Sequence, residues 1–176
     1  IQSMILILLY AAMTSDGYFQ TGDVGTITKE GYLKIIDRKK NIIKLSQGEY
    51  VALELVENKL KMNPFVDQLW VFGNSMESTV IAVVVPDEEA VMQWAKDKQK
   101  TGSFEELCKD PELAELIQAE LRSDGKGAGL KGFEIPAKVH VCSEPFTPEN
   151  GLMTPSMKLQ RPKLQVRLFL GLSHLL

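Results

Sequence analysis

The chain reads as an α+β fold, a short β-sheet flanked by helices with β-hairpins beside it. Three observations predict this class. Residues 66–72 and 79–85 are β-branched or aromatic runs on either side of Gly73-Asn74-Ser75, the pattern of two paired strands. Downstream, Asp87, the Ser103/Glu106 spacing and Asp110-Pro111 are three successive helix starts. Upstream, Asp16-Gly17 and Glu30-Gly31 are turn signals around short apolar runs.

In chain order, residues 18–27 and 32–36 are expected as strands of hairpins. Asp37-Arg38-Lys39-Lys40-Asn41 then breaks the apolar pattern with a polar, cationic stretch, the composition of a hinge or domain junction. Residues 42–45 and Tyr50-Val51 flank Ser46-Gln47-Gly48-Glu49 as another hairpin. Over 51–62, Val51, Leu55, Val56 and Leu60 form a helical stripe, with Glu54, Glu57, Lys59 and Lys61 expected to face water. Asn63-Pro64 stops that helix, because proline disfavours helical backbone at the residue before it.

The strand pair that follows is expected at the centre of the sheet. Asp87 caps a helix through Trp94 to about residue 100, with acids in its first turn where the helix dipole favours them. Ser103-Phe104-Glu105-Glu106 has capping-box spacing. Pro111 opens a third helix to residue 121 or 122, which the glycine-rich stretch 125–132 should close. Residues 138–142 are a last strand, and a polar loop with three prolines occupies 143–157.

Composition narrows the function classes. The 176 residues are 44% hydrophobic and 24% charged, with 20 basic against 23 acidic side chains, ordinary globular values that argue against disorder and disulfide scaffolds. A net charge of −3 offers no general attraction to nucleic acid or anionic lipid. Cys108 and Cys142 are widely spaced and have no histidine cluster, so neither a disulfide nor a metal site is expected, and a reducing compartment fits. Residues 1–13 are apolar but lack a basic leader and fall short of the roughly 20 residues a transmembrane helix needs. Residues 167–176 are again leucine-rich and uncapped.

Several motifs could carry chemistry. Gly127-Ala128-Gly129-Leu130-Lys131-Gly132 fits a dinucleotide fingerprint literally, but that fingerprint needs a strand before it and a helix after it. Here a helix precedes, and Pro136 and a strand follow, which reads as a helix stop. No phosphate-cradling Walker sequence occurs. Arg38, Lys39, Lys40 and Lys44 form a basic cluster that alone would be a solvated face. Just upstream, Thr21-Gly22-Asp23 places a carboxylate in a turn, where it could accept two hydrogen bonds from vicinal hydroxyls. Lys158 follows the proline-rich loop, within Met153-Thr154-Pro155-Ser156-Met157-Lys158-Leu159. The order of these features is more distinctive than any one of them.

Three stretches, Gly17-Tyr18-Phe19-Gln20-Thr21-Gly22-Asp23-Val24-Gly25, the run from Ile36 through Asp37-Arg38-Lys39-Lys40 to Val51, and Leu152-Met153-Thr154-Pro155-Ser156-Met157-Lys158, resemble adenylate-forming enzymes. More narrowly they resemble the C-terminal part of eukaryotic long-chain fatty acyl-CoA synthetases, from about residue 16 to about residue 164. The wording around Asp37 to Val51 and the long Glu/Lys-rich helical insert over 87–122 carry the long-chain reading.

The resemblance implies a domain plan: an atypical apolar end (1–15), the last hairpin of a large N-terminal domain (16–36), a hinge (37–40), a small mobile lid domain (41–168) and a second atypical end (169–176). The family pattern has polar helical segments where these two ends are apolar, so both are expected to be foreign to it, from a fragmentary gene model. The large domain, with the ATP phosphate loop and the acyl pocket, lies outside this chain, and the fragment alone is expected to be inactive.

The implied chemistry has two halves. A fatty carboxylate attacks the α-phosphate of Mg-ATP to give acyl-AMP and pyrophosphate, and the CoA thiol then displaces AMP. By resemblance, Asp23 binds the ribose hydroxyls and Arg38 holds the nucleotide through ribose or phosphate oxygens. Lys158 brings positive charge to the carboxylate and α-phosphate during adenylation. Rotation about the hinge, at Asp37 to Lys40 and centred on Lys40, then presents Lys44 and the CoA-side hairpin of Ser46, Gln47, Gly48 and Glu49. ATP, Mg2+ and CoA are thus implied as substrates of the complete enzyme, with none bound tightly by this chain alone. The implied partners are fatty acid and the large domain, without nucleic acid and without a transmembrane segment. The implied location is intracellular, in the cytoplasm or peripheral on the ER, peroxisome or another organelle membrane.

Three readings stand beside this one. The first is a stand-alone lid-like regulatory or binding module, and the second an adenylate-forming ligase for another carboxylic acid. A nucleic-acid-binding basic hairpin is the third, and net acidity and the want of stacking aromatics beside the lysines oppose it.

Overall fold

The structure, a computed structural model, describes residues 13–171. The atypical end expected over 1–15 therefore lies outside the described residues but for its last three, and that over 169–176 but for the backbone of its first three.

A hairpin of β1 (Asp23–Ile27) and β2 (Leu33–Arg38) leads through a 3-10 turn (Lys39–Asn41) into a second hairpin, β3 (Ile42–Lys44) and β4 (Tyr50–Ala52). Then follow α1 (Leu53–Leu60), β5 (Val66–Phe72), β6 (Ile81–Pro86), α2 (Glu88–Asp97), α3 (Phe104–Leu107), α4 (Pro111–Gly127), β7 (Lys138–Val141) and α5 (Arg161–Gly171). The main sheet has the order β5-β6-β7, with β5 antiparallel and β7 parallel to the central β6. The mixed α+β class expected from the sequence is therefore the class observed.

Period-two alternation sends each strand's side chains to two faces, and both faces are covered. Leu69, Val71, Val80, Ala82 and Val84 pack with Val56 and Leu60 of α1 and Leu113, Ile117 and Leu121 of α4. Trp70, Phe72, Val83 and Val85 form a second core with Phe146, Leu152 and Leu164. This second core seats the segment that carries Lys158 on the sheet, through Leu152 and Leu164 on either side of it.

The caps fall where the sequence puts them. Asp87 accepts the Ala90 amide, Ser103 and Glu106 form a complete capping box, and Asp110 accepts the Glu112 amide ahead of Pro111. Four boundaries differ for identifiable reasons. β1 begins at Asp23 rather than residue 18, since Gly22 has φ +75° and Thr21 Oγ1 accepts the Asp23 amide at 3.2 Å, taking the chain out of an extended path. β2 runs on through Arg38, so Asp37 and Arg38 of the expected hinge are paired strand residues opposite Val24 and Asp23. Val51 lies in β4 rather than in α1. Finally, α4 continues to Gly127 because Gly125 is packed inside the helix: a Cβ there would lie 3.0 Å from Ile135 Cγ1. Of the fingerprint-like glycines, Gly127 ends α4 and Gly129 and Gly132 lie in the loop beyond it, and the next element is a strand rather than the helix that the fingerprint requires.

Candidate active site

Antiparallel pairing places two distant motifs side by side. Asp23 opens β1 and Arg38 closes β2 in direct register, with Arg38 Nε 3.6 Å from Asp23 Oδ1. The Lys39 amide donates to the Gly22 carbonyl at 2.8 Å, fixing the Thr21-Gly22-Asp23 turn against the basic run. Both side chains keep substantial solvent access, Arg38 about half exposed and Asp23 about a third. The result is a carboxylate acceptor beside a guanidinium donor, open to a ligand that offers hydroxyls and anionic oxygens.

Asp37 turns inward instead. Only 3% exposed, it accepts the Arg38 amide (2.6 Å) and the Asn41 side-chain amide (3.2 Å) on Oδ1, and the Glu54 amide (2.9 Å) on Oδ2. Ala52, at the start of α1, has no side chain able to cap, so Asp37 satisfies an orphan donor of that helix from 17 positions upstream. Lys40 lies exposed in the 3-10 turn between the two hairpins.

The second hairpin presents Lys44 and the turn formed by Ser46, Gln47, Gly48 and Glu49. Gly48 has φ +90°, and its amide donates to the Leu45 carbonyl at 2.9 Å. The glycine is thus required by the turn's left-handed backbone rather than by crowding within the chain. Two bonds hold the turn to the loop after β5, from the Ser46 amide to Glu77 O (3.0 Å) and from Gln47 Nε2 to Ser78 O (2.8 Å). Lys44 Nζ stands 5.8 Å from the centre of the exposed Tyr50 ring.

Lys158 sits on a separate projection. Met153 and Leu159 form an isolated antiparallel bridge, and between them Thr154 N donates to Lys158 O while Lys158 N donates to Thr154 Oγ1. This tight loop leaves Lys158 exposed, and no hydrogen bond or ion pair joins it to Asp23, Arg38 or Lys44 among the described residues. The structure therefore brings Asp23 and Arg38 together, and places Lys44 at the end of β3 and Lys158 on a separate loop.

Sequence reasoning missed a buried ion pair. Glu57, expected to face water, is 6% exposed and meets Arg161 in a two-pronged contact, Nη1–Oε1 2.9 Å and Nη2–Oε2 2.6 Å. Its Oε1 also accepts the Val71 amide at 2.8 Å. Burial pushes the Glu57 carboxyl above its ordinary value, opposed by the Arg161 guanidinium and the Val71 amide. The signal was present: position 57 lies four residues after Leu53 and three before Leu60, on the stripe that faces the core. Elsewhere, burial pushes the Cys108 thiol up to about 11, which leaves it a packing residue rather than a nucleophile. Among the described residues no group of three His, Cys, Asp or Glu could hold a metal ion, and no helix is long and apolar enough to cross a membrane.

The fold matches the C-terminal subdomain of adenylate-forming, AMP-binding enzymes. The adenylation domain of a carboxylate reductase from Mycobacterium chelonae superposes with TM-score 0.81 and 36% identity, over 97% of this chain and 25% of that one. That of Segniliparus rugosus, solved with AMP and a co-purified carboxylic acid, gives TM-score 0.80 and 30% identity over the same shares. Within this class the chain is homologous to the long-chain acyl-CoA synthetases, over a segment consistent with their C-terminal part. Long chain acyl-CoA synthetase 1 of Arabidopsis thaliana is 52% identical over 149 residues, 85% of this chain. The chain spans about a quarter of the length of the curated relatives it matches, 23% in that case. No family model matches the chain.

Proposed function

We propose that this chain is the lid portion of a long-chain-fatty-acid CoA ligase, with residues 16–36 from the large domain, a hinge at 37–40 and the lid over 41–168. The observation that carries the reading is the Asp23–Arg38 pair, an acceptor and a donor set in register at the root of one hairpin. Its chemistry suits a nucleotide. The Asp23 carboxylate accepts both ribose hydroxyls, and the Arg38 fork reaches ribose or phosphate oxygens.

In the adenylation half-reaction, the fatty carboxylate oxygen attacks the α-phosphorus of Mg-ATP and pyrophosphate leaves. Lys158, on its exposed loop, supplies positive charge where negative charge gathers in the transition state. The magnesium enters with the nucleotide as part of the substrate. In the second half-reaction, the CoA thiol attacks the acyl carbon and AMP leaves. Rotation about Lys40 withdraws Lys158 and brings up Lys44 and the Ser46, Gln47, Gly48, Glu49 turn to guide the pantetheine arm. Support for two working faces comes from their different seats: Lys44 ends β3, whose hairpin packs through Leu45 and Val51 into the core with α1, whereas the Lys158 loop is seated on the second core through Leu152 and Leu164. The large exposed side chains of the first hairpin, Ile27, Tyr32, Leu33 and Ile35, suit contact with the bulk of a larger enzyme.

The test uses the full-length enzyme that carries this segment, with Asp23→Asn. Hydrogen bonds to a charged group contribute about 1.5–3 kcal/mol, so KM for ATP in fatty-acid-dependent ATP–pyrophosphate exchange should rise on the order of 10- to 100-fold. An unchanged KM for ATP would remove Asp23 from the nucleotide site and the reading with it.

A further inference from the structure

We infer that Arg161 and Glu57 form a positioning pair for Lys158, setting where the lysine loop stands on the lid. This rests on the reading of Lys158 as the adenylation lysine. Arg161 begins α5 only three residues beyond Lys158, and its guanidinium reaches Glu57, 104 positions away. One Glu57 oxygen also takes the Val71 amide of β5, so a single carboxylate ties α1, β5 and the base of the lysine loop together.

A second set of bonds carries that fixed point to the loop. Gln160, between Lys158 and Arg161, donates from its amide to Leu152 O (2.8 Å) and from its side chain to Met153 O (2.9 Å). The Met153–Leu159 bridge and the paired Thr154–Lys158 bonds then extend the register to Lys158 itself. Stability alone does not account for the pair, since a buried ion pair gives little net stabilisation over an apolar pair of the same shape. A two-pronged guanidinium contact does fix an angle as well as a distance, which a greasy contact cannot. Placement of Lys158 is the function that uses this directionality.

The test compares Arg161→Lys with wild type in the full-length enzyme carrying this segment, measuring each half-reaction separately, alone and combined with Lys158→Ala. Lysine keeps the charge against Glu57 but loses the fork. Since a misplacement of about 1 Å can cost on the order of 10²-fold, acyl-AMP formation should fall 10- to 100-fold in kcat with little change in KM. Thioester formation from supplied acyl-AMP should stay within about twofold of wild type, and R161K should add nothing to K158A in acyl-AMP formation. Thermal melts accompany each variant, and where R161K is unfolded the milder Glu57→Gln, which keeps an acceptor for Arg161, takes its place under the same expectations. Equal loss in both half-reactions, additive loss on top of K158A, or a variant indistinguishable from wild type would overturn the positioning role. A wild-type enzyme without fatty-acid-dependent exchange would instead overturn the functional reading, and the inference with it.

Discussion

Glu57 and Asp37 show how much a single carboxylate can organise. Each is buried, each accepts a backbone amide from another element, and each joins parts of the chain that sequence distance separates. Removing one partner of such a site is costly. Arg161→Met in the 176-residue chain leaves Glu57 buried without its cation, a loss of about 3–5 kcal/mol at neutral pH. The pH dependence follows from the direction of the Glu57 shift. A carboxyl raised in the folded state binds its proton more readily folded than unfolded, so its contribution to stability declines as pH rises from the unfolded value through the folded one. Without Arg161 that window extends upward. Denaturant melts should therefore show a deficit of R161M against wild type that is smaller at pH 5 than at pH 7.5, and a deficit that grows on acidification would refute the assignment. The residue-level site was only partly legible in sequence. Asp23, Arg38 and Lys158 sit in spaced motifs, whereas the partners of Glu57 and Asp37 depend on contacts between elements that no local pattern encodes.

Elements were legible wherever local chemistry decides them. The Asp87, Ser103 and Asp110 caps and the Asn63-Pro64 stop lie where their side chains dictate, because capping is a contact within one turn of helix. Boundaries were lost where packing overrides propensity. Glycines at 125 and 127 read as the end of a helix, yet α4 runs through both because Ile135 and Leu130 occupy the space a side chain at 125 would need. This makes a signed prediction. On helix propensity alone, Gly125→Ala would gain up to about 1 kcal/mol. With Ile135 Cγ1 at 3.0 Å from the new Cβ, overpacking should prevail and destabilise the chain by about 1–2 kcal/mol in denaturant melts. Adding Ile135→Val should recover part of the loss. A stabilising G125A would show that the helix can shift to make room.

At the scale of the molecule, the sheet acts as a platform with two uses. One face holds α1 and α4 together with Leu45 and Val51 of the Lys44 hairpin, and the other seats the segment that leads to Lys158. Under the proposed function, such separation suits a lid that serves two steps in two orientations. The order of motifs made the family legible in the sequence. The mixed parallel and antiparallel sheet and the second core beneath residues 146–164 needed the structure, since they arise from which strands neighbour one another. The central claim is a division of labour, and Lys158→Ala in the full-length enzyme carrying this segment tests it most directly. Measured half-reaction by half-reaction, acyl-AMP formation should fall on the order of 10²- to 10³-fold while thioester formation from supplied acyl-AMP stays near wild type. Equal loss in both halves, or no loss in the first, would contradict it.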